Sequence, residues 1–229
     1  MSDLIDTTEM YLKAILEVIE VGKLPKRSVL AHRLEQAMPT VSQTVERMAR
    51  EGLVYLDEDR VIHFSEEGLS LATSVMRKHR IAELYLYREL GFAWSDCHEE
   101  ACRWDHVMSD TAEVKMVEKL GLVTSDPYGN SIPGLEAIGL PSAPSAIWPT
   151  VSDLHIPSGS PISATVRAIT EPIQTNPAEL KQLQELGILP GAEIVIWAVG
   201  QDVFLRAKNR EDSLQLDRGL SDFITVALQ

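Results

Sequence analysis

The chain has 229 residues, of which 45% are hydrophobic and 24% charged, and its formal net charge is −13. That length allows one to three domains with a real core, and no apolar run is long enough to span a bilayer. The start, MSDLIDTTEM, lacks the basic-then-apolar order of a secretory signal, and Cys97 and Cys102 lie too close together to make a useful bridge, so a reducing cytoplasm and no membrane partner are expected.

Asp6 or Thr7 can cap a first helix, with Tyr11, Leu12, Ile15, Leu16 and Ile19 as its apolar stripe and Gly22 and Pro25 ending it. A short helix follows in SVLAHRLEQ. The next starts at MPT, with Pro39 in its first turn, and Gly52 ends it. LVYLDEDRVIHFSEEG then reads as two short strands around the polar turn DEDR, with Ser65 opening another helix.

Three helices and a hairpin are the order of a winged helix-turn-helix, and also of a small helical bundle with a hairpin. The third helix favours the first of these. Thr40, Gln43, Thr44 and Arg47 project together at helical spacing, while Val41, Val45 and Met48 face inward. Pro39 and Ser42 complete the expected DNA-facing set, and Arg27, Arg50 and Arg60 flank it as phosphate contacts. An acidic chain is a poor general partner for nucleic acid, but the charge is unevenly placed. From Lys23 to Arg50 six basic residues (Lys23, Lys26, Arg27, Arg33, Arg47, Arg50) stand against only Glu35 and Glu46.

From Leu69 to about Leu120 the chain reads as helices through VMRKHRIAELYLYRELG, CHEEACRWDHVMS and TAEVKMVEKLG, apolar enough for a dimerisation unit or an ordinary core. Leu140 to Thr150, LPSAPSAIWPT, carries three prolines and no charge and reads as a linker. After it come five short alternating strands, in ISATVRAIT, AEIVIWAVG, DVFLRAK, DSLQLDRG and DFITVAL, with AELKQLQELG as a helix between the first two. That is a small β-barrel of SH3-like size. The expected architecture is mainly α with a small β component: a winged helix-turn-helix over 1–72, a helical dimerisation and metal-binding domain over 73–140, a proline-rich linker over 141–150 and an SH3-like domain over 151–229. No internal repeat or low-complexity segment is evident.

Two helices carry metal-ligand chemistry. His79 and Glu83 stand at i, i+4 on one; His98 and Cys102 stand at i, i+4 on the next, with Asp105 and His106 a turn further on. Helix bundles build metal sites from such pairs on facing helices, although one pair alone is commonly a solvated surface pair. HExxH, Walker, GxGxxG and GxSxG motifs are all missing, so no catalytic role is evident. A mononuclear metal hydrolase could still use these ligands. Their place beside a DNA-reading unit points to sensing instead.

The stretches DTTEMYL, PTVSQTVERM, VMRKHRIAE, HEEACRWDHVMSD and DPYGNSIPGLE resemble the diphtheria toxin repressor and iron-dependent regulator family of metal-activated transcriptional repressors. The likeness covers the first 140 residues with almost no register shift and continues loosely through LGILPG and EPIQ. It implies two metal sites per subunit. The activating site would use Met10, Cys102, Asp105 and His106. The ancillary site would use His79, Glu83 and His98 with Glu171 and Gln174 from the C-terminal domain. The family usually has glutamate where this chain has Asp105, which draws the carboxylate back by about 1.5 Å, one carbon–carbon bond. Sulfur ligands favour iron(II), with cobalt(II), nickel(II) and zinc(II) as surrogates, over manganese(II). The resemblance therefore implies a cytoplasmic homodimer that binds double-stranded operator DNA when iron(II) is plentiful and represses metal-uptake genes, Met10 ligation removing a clash between the first helix and DNA. A manganese-responsive regulator is the alternative within the family.

Overall fold

The computed structural model describes residues 7–104, 106–141, 146–157, 159–216 and 218–229. The N-terminal unit is built from α1 (Thr7–Glu20), α2 (Arg27–Arg33), α3 (Met38–Arg50) and an antiparallel hairpin of β1 (Val54–Leu56) and β2 (Ile62–Phe64). This is the helix, helix, helix, wing order expected. Tyr11, Leu12, Ile15 and Leu16 of α1 meet Leu30, Val41, Val45 and Met48 in one core, while Ile19 is left 40% exposed near the helix end. Asp6, the alternative cap of α1, lies outside the described residues. α2 is shorter than its apolar pattern suggests. Glu35 takes a left-handed backbone (φ 51°), and Gln36 N donates back to Ala31 O, closing the helix early.

α4 (Glu66–Arg88) is the spine of the molecule. Ser65 caps it: its Oγ accepts from Gly68 N at 3.0 Å and donates to Leu53 O at 3.1 Å. Gly68 is required there, since a Cβ would stand 1.9 Å from the Leu53 carbonyl oxygen. α1 packs on one side of α4, and α5 (Cys97–Trp104) and α6 (Asp110–Leu120) on others. Ser109 caps α6, and Gly121 (φ 75°) ends it.

The C-terminal region holds a five-stranded antiparallel sheet in the order β6-β5-β4-β3-β7, from β3 (Ile162–Ile169), β4 (Glu193–Val199), β5 (Asp202–Ala207), β6 (Leu214–Leu216) and β7 (Ile224–Leu228). Short helices α7 (Glu171–Gln174), α8 (Pro177–Glu185) and α9 (Arg218–Ser221) join or flank the strands. The proline-rich stretch does not hang free at its C-terminal end: Thr150 is buried and bridges Thr225, and Arg167 lies over the Trp148 ring. Its residues 142–145 lie outside the described residues.

One core runs across the boundary between the helical and β regions. Ala82, Leu86, Trp94, Cys97 and Ala101 pack in the same cluster as Val166, Ile169, Leu180 and Ile224. The loop before β3 reinforces this: Ile169 N donates to Tyr128 O at 2.9 Å, and Asn130 Nδ2 to Ile169 O at 3.1 Å. Gly129 (φ 89°) permits the approach, because a Cβ there would lie 2.1 Å from Arg167 O. Lys23 adds a direct link from the N-terminal unit, 2.8 Å from Asp222 and over the Phe223 ring.

Candidate metal centre

His79 and Glu83 project from α4 into the contact with α5, which supplies His98 and Cys102. His79, Glu83 and His98 are buried. Glu83 Oε1 lies 2.8 Å from His79 Nε2 and 2.9 Å from His98 Nδ1, and the two rings meet edge to face. Cys102 Sγ is 3.6 Å from His98 Nε2. The i, i+4 pairs on adjacent helices therefore converge in the interior and do not form a solvated surface.

Burial alone would raise the Glu83 carboxyl, but the two histidine rings outweigh it and hold the group well below the usual carboxylate range. Burial would likewise lower His98, yet its bonds to Cys102 and Glu83 leave it raised. The Cys102 thiol is raised by burial and drawn down by Lys13, His79 and His98, with a net result of about 6. Lys13, on α1, is a member of the cluster that the sequence pattern does not single out. Its Nζ is 3.5 Å from Cys102 Sγ and 3.3 Å from His79 Nδ1.

Glu171 and Gln174, on α7, are both buried. Glu171 Oε1 accepts from Arg80 Nε at 3.0 Å and from a terminal Arg80 nitrogen at 2.5 Å. Arg80 also binds Glu20 at the end of α1 and approaches Asp126 at 3.8 Å. Burial opposes the Arg80 charge, but Glu171, Glu20 and Asp126 hold it well above its ordinary value. Glu171 is correspondingly held low by Arg80 against its own burial. Arg80, Glu20 and Asp126 give no signal in the sequence, since none shares a helical face with the other two.

A divalent ion fits this chemistry on observations of the chain itself. Among the described residues, Glu83 Oε2 and Gln174 Oε1 are buried without a hydrogen-bond partner, although each costs energy when left so. Both are hard oxygen donors, and the other oxygen of Glu83 contacts the two imidazoles.

The other expected ligands are distributed differently. α5 ends at Trp104, so His106 stands in the following turn and not on a helical stripe with Cys102. Its Nδ1 is 2.7 Å from Glu9 Oε2, which ties the turn to α1 beside Met10. Met10 is half-buried against the N-terminal core. Asp105 lies outside the described residues.

The expected DNA-facing surface is on α3. Val41, Val45 and Met48 are fully buried, while Pro39, Thr40, Gln43 and Arg50 are exposed and Ser42, Thr44 and Arg47 are half-buried. Thr44 Oγ1 donates to Thr40 O at 3.1 Å. Arg47 is engaged by Glu51 and by Thr8 of α1, and Arg27 by Glu46 at 3.3 Å. Arg60 is exposed in the wing turn at φ 58°.

Residues 3–62 match the family model described as iron dependent repressor, N-terminal DNA binding domain, and residues 65–134 the one described as iron dependent repressor, metal binding and dimerisation domain. The chain is 43% identical over 197 residues to the iron-dependent repressor IdeR of Mycobacterium tuberculosis, covering 86% of each. It is 43% identical over 226 residues to the diphtheria toxin repressor of Corynebacterium diphtheriae, covering 99% of each. Among solved structures, a manganese-dependent transcriptional repressor in complex with manganese superposes with a TM-score of 0.81 at 23% identity, over 97% of this chain and 100% of that one. The IdeR of T. acidophilum superposes at 0.75 and 24% identity, over 96% and 97%. At such identities these two establish the fold.

Proposed function

The chain belongs to the iron-dependent repressor family, and on that premise we propose that it is an iron(II)-activated homodimeric repressor that binds double-stranded operator DNA and controls metal-uptake genes. The observation that carries the reading is the position of α1. One face of α1 forms the core of the DNA-reading unit, and Lys13 and Glu9 of the same helix reach Cys102, His79 and His106. A ligand that organises the last three residues must therefore act on the helix beside α3.

The activating set is Met10, Cys102, Asp105 and His106. Bound there, iron(II) would supply a cross-link between α1 and the segment after α5. Met10 contributes from α1 itself, Cys102 gives a thiolate, and Glu9 holds the His106 ring by Nδ1, with Nε2 as the coordinating atom. Fixing α1 selects the conformation in which α3 is free to enter the major groove. The ancillary set is His79, Glu83 and His98 with Glu171 and Gln174. Its members join α4 and α5 to α7, so it holds the C-terminal domain against the helices. Gln43 and Thr40 read base edges, with Pro39, Ser42 and Thr44 beside them. Arg27, Arg47, Arg50 and Arg60 hold phosphates, for which Arg27 and Arg47 exchange their present partners Glu46 and Glu51. The domain limits that accompany this reading are 1–72, 73–140 and 151–229.

Operator binding measured by mobility shift under anaerobic conditions, with and without iron(II), tests the function. Affinity independent of metal would defeat it, and metal-dependent hydrolytic turnover without DNA affinity would favour the metal-hydrolase alternative. Among the described residues no helix is long and apolar enough to cross a membrane. From its membership of a family of DNA-binding repressors we infer that the protein acts in the cytoplasm without catalysing a reaction.

A further inference from the structure

The two histidines of the buried cluster each spend one ring nitrogen on Glu83. His79 uses Nε2 and His98 uses Nδ1. The other nitrogen of His98 meets Cys102, Nε2 lying 3.6 Å from the sulfur, and His79 Nδ1 is 3.3 Å from the Lys13 ammonium that touches the same sulfur at 3.5 Å. A nitrogen of each ring and the sulfur lie within 4.8 Å of one another. In a tetrahedral site with metal–nitrogen bonds of about 2.0–2.1 Å and a metal–sulfur bond of about 2.3 Å, nitrogen and sulfur stand about 3.6 Å apart. The Cys102–His98 separation has that value. A carboxylate behind each imidazole is the usual outer partner of a metal-binding histidine, and Glu83 serves both rings at once.

We propose that His79, His98 and Cys102 form a donor set of their own, a tetrahedral site of one thiolate and two imidazoles for a borderline divalent cation, and that the Lys13 ammonium competes for the position the cation takes. Zinc(II) and cobalt(II) have the matching geometry and ligand preference. On binding, the Cys102 thiol passes its proton to solvent, the ammonium is displaced, and solvent takes the fourth vertex. This set differs from both sets named above. It takes sulfur where the ancillary set takes Glu83, and it takes His79 and His98 where the activating set takes Met10 and His106. It shares Cys102 with the activating set and both histidines with the ancillary one, so filling it lowers the affinity of either neighbour. The inference rests on the reading of the chain as a metal-dependent repressor.

The probe is cobalt(II), added anaerobically to the full chain and to a Met10→Ala/His106→Ala variant that lacks two ligands of the activating set. The double variant should still bind cobalt with a sulfur-to-cobalt charge-transfer band and strong tetrahedral visible bands. Adding His79→Ala or Cys102→Ser should remove them. Lys13→Met in that background should lower the half-saturating cobalt concentration by roughly tenfold or more, since it removes a cation beside a thiolate. Glu83→Gln should raise it by about 10–100-fold. A double variant that is folded by circular dichroism and binds cobalt without the charge-transfer band overturns the inference. Should the double variant not fold, His79→Ala in the otherwise unsubstituted chain decides: an unchanged band and affinity overturn the inference, and a weakened band with lower affinity supports it. Failure of the functional reading is seen separately, as loss of iron(II)-dependent operator binding by the unsubstituted chain.

Discussion

Glu9 and His106 are joined by a 2.7 Å contact between a carboxylate oxygen and a ring nitrogen, linking the first turn of α1 to the turn that follows α5. Both groups are largely buried, so the contact is better shielded than a surface ion pair. It fixes the ring by Nδ1, and in the activating set proposed above Nε2 is the coordinating atom. Glu9→Ala should therefore raise the iron(II) concentration for half-maximal operator binding by about 10–100-fold, the usual cost of losing an outer-sphere partner. Iron titration monitored by fluorescence anisotropy of labelled operator checks this. An unchanged midpoint would show that Glu9 does not orient the ligand.

The two cysteines should react very differently. Burial, with Glu83 and Asp96 nearby, pushes the Cys97 thiol up to about 12, and the residue has no exposed surface. Cys102 is drawn down to about 6 by Lys13 and the two histidines despite its burial. The thiolate is the nucleophile, so alkylation of Cys102 should rise as pH passes through about 6 and level off above it, well below the free-thiol value of about 8.5. Cys97 should stay unmodified at neutral pH in the folded chain, and zinc(II) should protect Cys102. Mass spectrometry of iodoacetamide adducts across pH reads both sites. Prior modification of Cys97, or a Cys102 rate still climbing at the free-thiol value, would contradict the electrostatic picture.

Arg80 sits where α1, α4 and α7 meet, with Glu20 and Glu171 bonded to it and Asp126 close by. Removing the guanidinium strands buried carboxylates, and breaking such a pair costs about 3–5 kcal/mol. Arg80→Met should lower the thermal midpoint sharply and expose the C-terminal domain to limited proteolysis. Glu171→Gln keeps the volume, removes one charge and leaves Arg80 with Glu20, so it should cost less. If Arg80→Met unfolds at the same temperature as the unsubstituted chain, the cluster does not tie the domains together.

Much of this is legible in the chain because it depends on local periodicity. The inward stripe of Val41, Val45 and Met48 and the alternation in β3, β4 and β7 are fixed by neighbours a few residues apart. The pairs His79/Glu83 and His98/Cys102 are visible for the same reason. Their convergence on one buried point depends on how α4 packs on α5, which helical spacing does not determine. Lys13 lies within the buried face of α1, where a sequence reading expects an apolar residue, and its partners are 66 and 89 residues away. His106 misleads in the opposite sense. Its i, i+4 spacing from Cys102 suggests a shared face, but α5 ends two residues earlier. The early end of α2 follows from the backbone of Glu35, a residue with no strong left-handed preference.

On the DNA side, Gln43 and Arg50 are exposed on α3 and should divide the labour. Arg50→Ala should weaken binding to all sequences alike and reduce the salt slope by about one unit. Gln43→Ala should cost about 1–3 kcal/mol at its own base pair and relax preference there. Operator titrations at several salt concentrations, with single-base operator variants, separate the two effects. If both substitutions leave affinity and slope unchanged, α3 is not the recognition helix.

On the activating set proposed above, metal selectivity follows from the donor atoms. Met10 and Cys102 bring a thioether and a thiolate, which suit iron(II), cobalt(II), nickel(II) and zinc(II) better than manganese(II), the hardest of these and lowest in the usual affinity order. Asp105 is one methylene shorter than the family's usual glutamate, so the carboxylate reaches less far and a water can stand between it and the ion. That change should weaken binding of every metal without altering the preference set by sulfur. Cys102→Ala should abolish activation. Met10→Ala should weaken it, leaving His79, Glu83 and His98 able to bind metal, since neither their rings nor their carboxylate touch Met10 in the set proposed. Asp105→Glu should lower the iron(II) midpoint if the shorter side chain is what limits affinity. The measurement is an anaerobic titration of operator binding with each metal on the unsubstituted chain and these three variants. Activation by manganese(II) at a lower concentration than iron(II) would defeat the sulfur-ligand reasoning and make the protein a manganese-responsive regulator.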